Sequence, residues 1–110
     1  MTDEDRATRK KEIEEMLEEN PKSVPLEVIS GSKSLKLTKQ KMMITRTSKV
    51  SVLTSKIKKF ASCKNTTSLI LSANGNILKA DKQIEEIYNM YKDDLGILRI
   101  TVKEIESLGN

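Results

Sequence analysis

The sequence predicts an α+β domain, and three observations carry that prediction. Two apolar segments early in the chain, separated by Gly31-Ser32-Lys33-Ser34, read as a β-hairpin. Val50, Leu53, Ile57, Phe60 and Ala61 then recur at i, i+3, i+7, i+10 and i+11, the spacing of one helix face. Near the end, Leu98, Ile100 and Val102 alternate as the apolar face of a strand.

Each element follows from local signals. Thr2 to Asn20 reads as a helix: Thr2 with Asp5 resembles a capping box, and Ile13, Met16 and Leu17 form a narrow apolar stripe among Glu12, Glu14, Glu15, Glu18 and Glu19. So narrow a stripe suits a helix laid on a domain rather than one inside it, and Asn20-Pro21 ends it. In the first strand Val24, Leu26 and Val28 share a face; the second returns over Leu35 to Thr45, where contiguous Met42, Met43 and Ile44 leave the register open. Ser48 is the expected N-cap of the core helix, whose outer face carries Lys49, Lys56 and Lys59. Ser68 to Ala73 reads as a strand, Asn74-Gly75 as a tight turn, and Ile77-Leu78 as a short segment. Asp81 is placed to cap a further helix bearing Ile84, Ile87, Tyr88 and Tyr91, and Gly96 opens the last strand. A hairpin followed by a helix crossing one face of a four-strand sheet is the β-grasp, here with an added N-terminal helix. The expected division is an N-terminal helix over 1–21, a β-grasp domain over 22–106 and a flexible tail over 107–110.

Composition narrows function. The chain has 110 residues, 36% hydrophobic and 33% charged, as expected of one soluble domain. No apolar run approaches the roughly 20 residues that span a bilayer, and the acidic Met-Thr-Asp-Glu-Asp start is not that of a signal peptide, so a cytoplasmic protein is expected. There is no His, and Cys63 is the single cysteine. That removes the usual general base, any internal disulfide and any cysteine-based zinc cluster, so neither enzyme activity, a metal nor a cofactor is expected. Residues 1–20 hold eight acidic and four basic side chains, whereas no Asp or Glu occurs between Glu27 and Asp81. Such a basic body suits anionic partners. Nucleic acid is disfavoured, because Phe60, Tyr88 and Tyr91, the only aromatics, sit on apolar helical stripes rather than as stacking platforms.

From about Arg9 to Asn110 the sequence resembles the autophagy ubiquitin-like modifiers, the family of GABARAP and the microtubule-associated light-chain proteins. Four segments in order carry the resemblance: Arg9-Lys10-Lys11-Glu12 through Asn20-Pro21 to Val24-Pro25; Lys39-Gln40-Lys41; Ile87-Tyr88 to Tyr91-Lys92-Asp93-Asp94-Leu95-Gly96-Ile97-Leu98; and a gapless stretch to Ser107-Leu108-Gly109-Asn110. The resemblance implies a ubiquitin-like fold and two activities. In the first, a cysteine protease removes Asn110; activating and conjugating enzymes then pass the Gly109 carboxylate to the amine of phosphatidylethanolamine, leaving a lipid-anchored pool on autophagosomal membranes. A glycine suits this role because, lacking Cβ, it can thread a narrow enzyme channel. In the second, a receptor segment bearing an aromatic, two spacers and an aliphatic adds to the exposed hairpin strand. Lys39 and Lys41 then meet its acidic residues, and Met16, Pro25, Met43 and Ile97 supply apolar surface. Ile97 also stands out without the family, since it points opposite to Leu98, Ile100 and Val102.

Several positions depart from the family pattern. Glu27 stands at an apolar pocket position, Thr45 and Ser48 replace a Pro and a Leu, Arg99 replaces a Tyr, Leu108 replaces a Phe, and one N-terminal helix is evident rather than two. A carboxylate in an apolar pocket is costly unless paired. Two alternatives stand beside lipid conjugation: a ubiquitin-like modifier attached to or bound by a protein partner, and a non-conjugated basic β-grasp module that binds peptide or nucleic acid.

Overall fold

The computed structural model describes residues 3–31, 36–37, 40–61 and 68–105. The elements are α1 (Asp3–Glu19), β1 (Ser23–Ser30), β2 (Lys41–Thr45), α2 (Val50–Phe60), β3 (Ser68–Ala73), β4 (Asn76–Ile77), α3 (Ile84–Tyr91) and β5 (Leu98–Ile105). The strands form one sheet in the order β2-β1-β5-β3-β4. β1 and β2 pair antiparallel, from Ser23 opposite Thr45 to Glu27 opposite Lys41. β5 enters the middle of the sheet, parallel to β1 with Leu26 opposite Leu98, and antiparallel to β3 with Leu71 opposite Val102. A central position lets both backbone edges of this last strand find partners.

The sheet has five strands rather than the four expected. Asn74 and Gly75 both take positive φ, 52° and 79°, which matches the twist of a two-residue hairpin and folds Asn76–Ile77 back onto Ser72 and Ala73. β2 is described from Lys41; Leu35, Thr38 and Lys39 of the expected second strand lie outside the described residues. Leu37 bridges to Ala61 at the end of α2 and packs on the core, so this residue covers a helix end.

Strand alternation sorts the apolar residues into two layers. Val24, Leu26 and Val28 of β1, Ile44 of β2, Leu71 and Ala73 of β3, and Leu98, Ile100 and Val102 of β5 pack against Val50, Leu53 and Ile57 of α2 and Ile84, Ile87 and Tyr88 of α3. The other face of the sheet carries α1, held by a small cluster of Ile13, Leu95 and Ile97 flanked by Met16 and Leu17. Each large side chain fully buried contributes about 1.5–3 kcal/mol. With Ile13 as its single buried residue, α1 is far less firmly fixed than α2, which buries three.

Neither side-chain cap expected for α2 and α3 forms, and Thr2, of the cap expected for α1, lies outside the described residues. Lys49 and Gln83 occupy the N-cap positions of α2 and α3, and neither makes a capping hydrogen bond. Instead the two helix starts cap each other through a Lys49–Gln83 bridge. The N–H groups of Val50 and Ser51 donate to the carbonyls of Lys82 (2.9 Å) and Ala80 (3.0 Å), and those of Ile84 and Glu85 donate to Ser48 (2.8 Å) and Arg46 (2.9 Å). Backbone carbonyls thereby satisfy the orphan donors that Ser48 and Asp81 were expected to cover.

Gly96 has φ +86°, and a Cβ there would lie 3.3 Å from both Ile13 Cγ2 and the Tyr88 hydroxyl; at Gly75, with φ +79°, nothing lies within 4 Å. Left-handed backbone costs a non-glycine residue about 1–2 kcal/mol. Gly75→Ala is therefore expected to lose about that much in urea unfolding, and Gly96→Ala distinctly more because α1 must also shift. Equal losses would contradict the packing of α1 on this turn.

Candidate functional site

A cavity of about 440 Å³ lies between α1 and the β1–β2 edge of the sheet. Arg9, Glu12, Ile13 and Met16 line it from α1; Pro25, Leu26 and Glu27 from β1; Lys41, Met42 and Met43 from β2; and Ile97 from the turn before β5. Arg9, Ile13 and Met16 fall at i, i+4 and i+7, so one helix face supplies them. Pro25 and Glu27 occupy the strand face opposite Val24, Leu26 and Val28, which is why they reach this side of the sheet. A proline is tolerated here for a specific reason. Val28 donates to the carbonyl of Gln40 beside β2, so the N–H groups of Val24 and Leu26 point the same way. The donor missing at Pro25 thus faces β5, whose pairing begins only at Leu26. β2 is an edge strand, and among the described residues no strand pairs with its outer side.

Two carboxylates organise the polar side of the cavity. Glu27 Oε2 sits 3.9 Å from both Arg9 Nη2 and Arg99 Nε, with its side chain about one quarter exposed. Two guanidinium groups therefore compensate a carboxylate on a largely apolar wall. Arg99 also pairs with Asp93. Asp93 Oδ1 accepts from the N–H groups of Leu95 (2.9 Å) and Ile97 (3.0 Å), while the Asp93 N–H donates to the Ile97 carbonyl (2.9 Å). This closed turn fixes Ile97 beneath α1. Tyr88 locks it from the other side by donating its hydroxyl to the Gly96 carbonyl at 2.7 Å. Burial holds the Tyr88 hydroxyl pKa above its usual value; the Arg46 charge opposes the shift and Asp93 reinforces it. The Arg46 guanidinium stacks over the Tyr88 ring, 5.5 Å from its centre. An exposed pair, Arg6 with Asp94 at 3.0 Å, adds little to holding α1.

Met16, Pro25, Glu27, Lys41, Met43 and Ile97, singled out in the sequence for peptide docking, all line this one cavity. Lys39, Gly109 and Asn110 lie outside the described residues, as does Cys63. Ile97 points away from Leu98 as its sequence position indicates; α1 covers it, leaving 3% exposed, so it lies at the inner wall of the cavity. Sequence reasoning missed Arg9, Glu12 and Ile13 as lining residues, although their spacing with Met16 was available. It also missed Asp93, whose role depends on backbone geometry that no spacing reveals. Two smaller cavities, of about 280 and 240 Å³, flank β4: one lies under Thr54, Leu69 and Leu78, the other between Ile77, Lys79, Met90 and Tyr91.

With the sheet order, the crossing helix α2 and the added α1 established, the chain has the ubiquitin-like β-grasp fold in its Atg8 form. The crystal structure of Trypanosoma brucei ATG8 matches it with a TM-score of 0.85 over 94% of this chain and 91% of that chain, at 21% sequence identity. The likeness is one of fold. No family model and no curated protein matches the sequence. No helix among the described residues is long and apolar enough to cross a membrane.

Because the folded-state pKa of Tyr88 is raised above the ordinary 10.0, the stability tied to its neutral hydroxyl is complete below pH 10 and is lost as pH rises through the folded value. At neutral pH Tyr88→Phe is expected to lose about 1 kcal/mol with the Gly96 hydrogen bond. The gap to the parent should narrow as pH climbs past 10, read as converging urea midpoints. A constant gap across that range would show that Tyr88 does not titrate with folding.

Proposed function

We propose that the chain is a ubiquitin-like modifier, processed after Gly109 and conjugated to phosphatidylethanolamine, that recruits receptors through short linear motifs. The observation that supports the reading best is the cavity between α1 and the β1–β2 edge, which gathers six residues with this expected role beside an edge strand whose outer side pairs with no strand among the described residues. An extended peptide adding to β2 would gain main-chain hydrogen bonds, and an aromatic side chain would enter the cavity against Ile13, Met16, Pro25 and Ile97. Lys41, exposed at the rim, would pair with an acidic residue of the motif, with Lys39 as its expected neighbour.

The conjugation chemistry would belong to partner enzymes. A cysteine protease hydrolyses the Gly109–Asn110 bond, an activating enzyme adenylates the freed carboxylate, and the acyl group passes through two enzyme thioesters to the lipid amine, forming an amide as the last thiolate leaves. The modifier supplies the glycine carboxylate and the surfaces those enzymes read.

Intact-mass analysis of protein from starved cells tests the reading. It should show a species lacking Asn110 and a second carrying the mass of the lipid, and Gly109→Ala should abolish the lipid adduct. A pool that retains Asn110 and carries no adduct would contradict it.

A further inference from the structure

α1 and α2, on opposite faces of the sheet, carry opposite charge, while α3, beside α2, holds Glu85 and Glu86 and no basic residue. α1 holds eight acidic and four basic side chains. α2 with its N-cap carries Lys49, Lys56, Lys58 and Lys59 and no acidic residue at all. Lys49, Val52, Lys56 and Lys59 follow one another at i, i+3, i+7 and i+10, so they form a single stripe about 15 Å long. All four are exposed, Val52 at 42%. Among the described residues no ion pair engages the three lysines, and they line none of the three cavities. Lys36, also exposed, precedes the Leu37–Ala61 bridge and so extends the positive surface at the C-terminal end of α2.

From this arrangement we propose that the lysine stripe of α2 is a contact surface for anionic lipid bilayers, and that the acidic α1 orients the molecule on them. Three features favour a bilayer over an acidic peptide or a nucleic acid. The stripe is an exposed helix face whose residues line none of the three cavities that could hold a peptide side chain. It carries no aromatic side chain on which a base could stack. An exposed valine sits among lysines whose long stems allow it to reach the headgroup boundary while the ammonium groups pair with phosphate. Anionic headgroups attract this face and repel the glutamates of α1 on the other side of the sheet. The cavity between α1 and β2 consequently points away from the bilayer, open to ligands. The biological setting rests on the conjugation reading, but the attraction does not require a lipid anchor, so each can fail without the other.

The test uses the unconjugated full chain at low ionic strength, in flotation with vesicles of phosphatidylcholine alone or with about one third phosphatidylserine. Binding should require the anionic lipid. Each lysine near such a surface contributes about 1 kcal/mol, a factor of about five. Replacing Lys49, Lys56 and Lys59 together by alanine should therefore weaken binding about 100-fold. Replacing Lys10, Lys11 and Lys22, also exposed, makes the same change in net charge and should alter binding less than about twofold. Equal losses in the two triple variants would reduce the effect to net charge and overturn the proposal. It would also be overturned by indifference to phosphatidylserine, or by capture of a polyglutamate peptide without capture of vesicles.

Discussion

The structure depends on one constraint: β5 must lie in the centre of the sheet, parallel to β1 and antiparallel to β3. At that position successive residues serve different layers. Leu98, Ile100 and Val102 complete the main core with α2 and α3, while Ile97, one residue earlier, anchors α1 on the far side. The switch between layers is made in the turn from Asp93 to Ile97, where one carboxylate collects two backbone N–H groups and Gly96 adopts a backbone that other residues resist. α1 rests on this turn and against β1, and the cavity lies between α1 and the β1–β2 edge.

That arrangement also explains how a glutamate is tolerated on the cavity wall. Glu27 belongs by alternation to the α1 face, and its partners arrive from two elements, Arg9 from α1 and Arg99 from β5. Removing either arginine would leave a partly buried carboxylate undercompensated, whereas the pair itself adds modest stability. The acidic α1 on the side of the cavity and the basic α2 lie on opposite faces of the same sheet. Ligand docking and surface attraction, as proposed, would therefore use opposite sides of a thin domain without competing.

Much of this was legible in the sequence where periodicity is strong. The stripe Val50, Leu53, Ile57 fixed α2, alternation fixed β1 and β5, and Asn74-Gly75 announced the hairpin that became a fifth strand once both residues took positive φ. Side-chain capping at Ser48 and Asp81 was a sound local inference that failed because two helix starts lie close enough to exchange backbone hydrogen bonds, a tertiary fact. The stretch before Lys41 alternates like a strand, yet Leu37 is drawn to the end of α2, where it covers core. At the site, the resemblance identified residues from four distant segments, but neither Asp93 as organiser nor the burial of Ile97 could be read from spacing. Both depend on how a turn closes under α1.

The proposed docking of a peptide strand on β2 is tested most directly by titrating isotopically labelled protein with an aromatic-x-x-aliphatic peptide and following its amide resonances. Docking predicts shifts concentrated on Lys41 to Thr45 and on the cavity residues Ile13, Met16, Glu27 and Ile97, with the lysine stripe of α2 unmoved. Shifts confined to the cavities around β4, or none at saturating peptide, would contradict it.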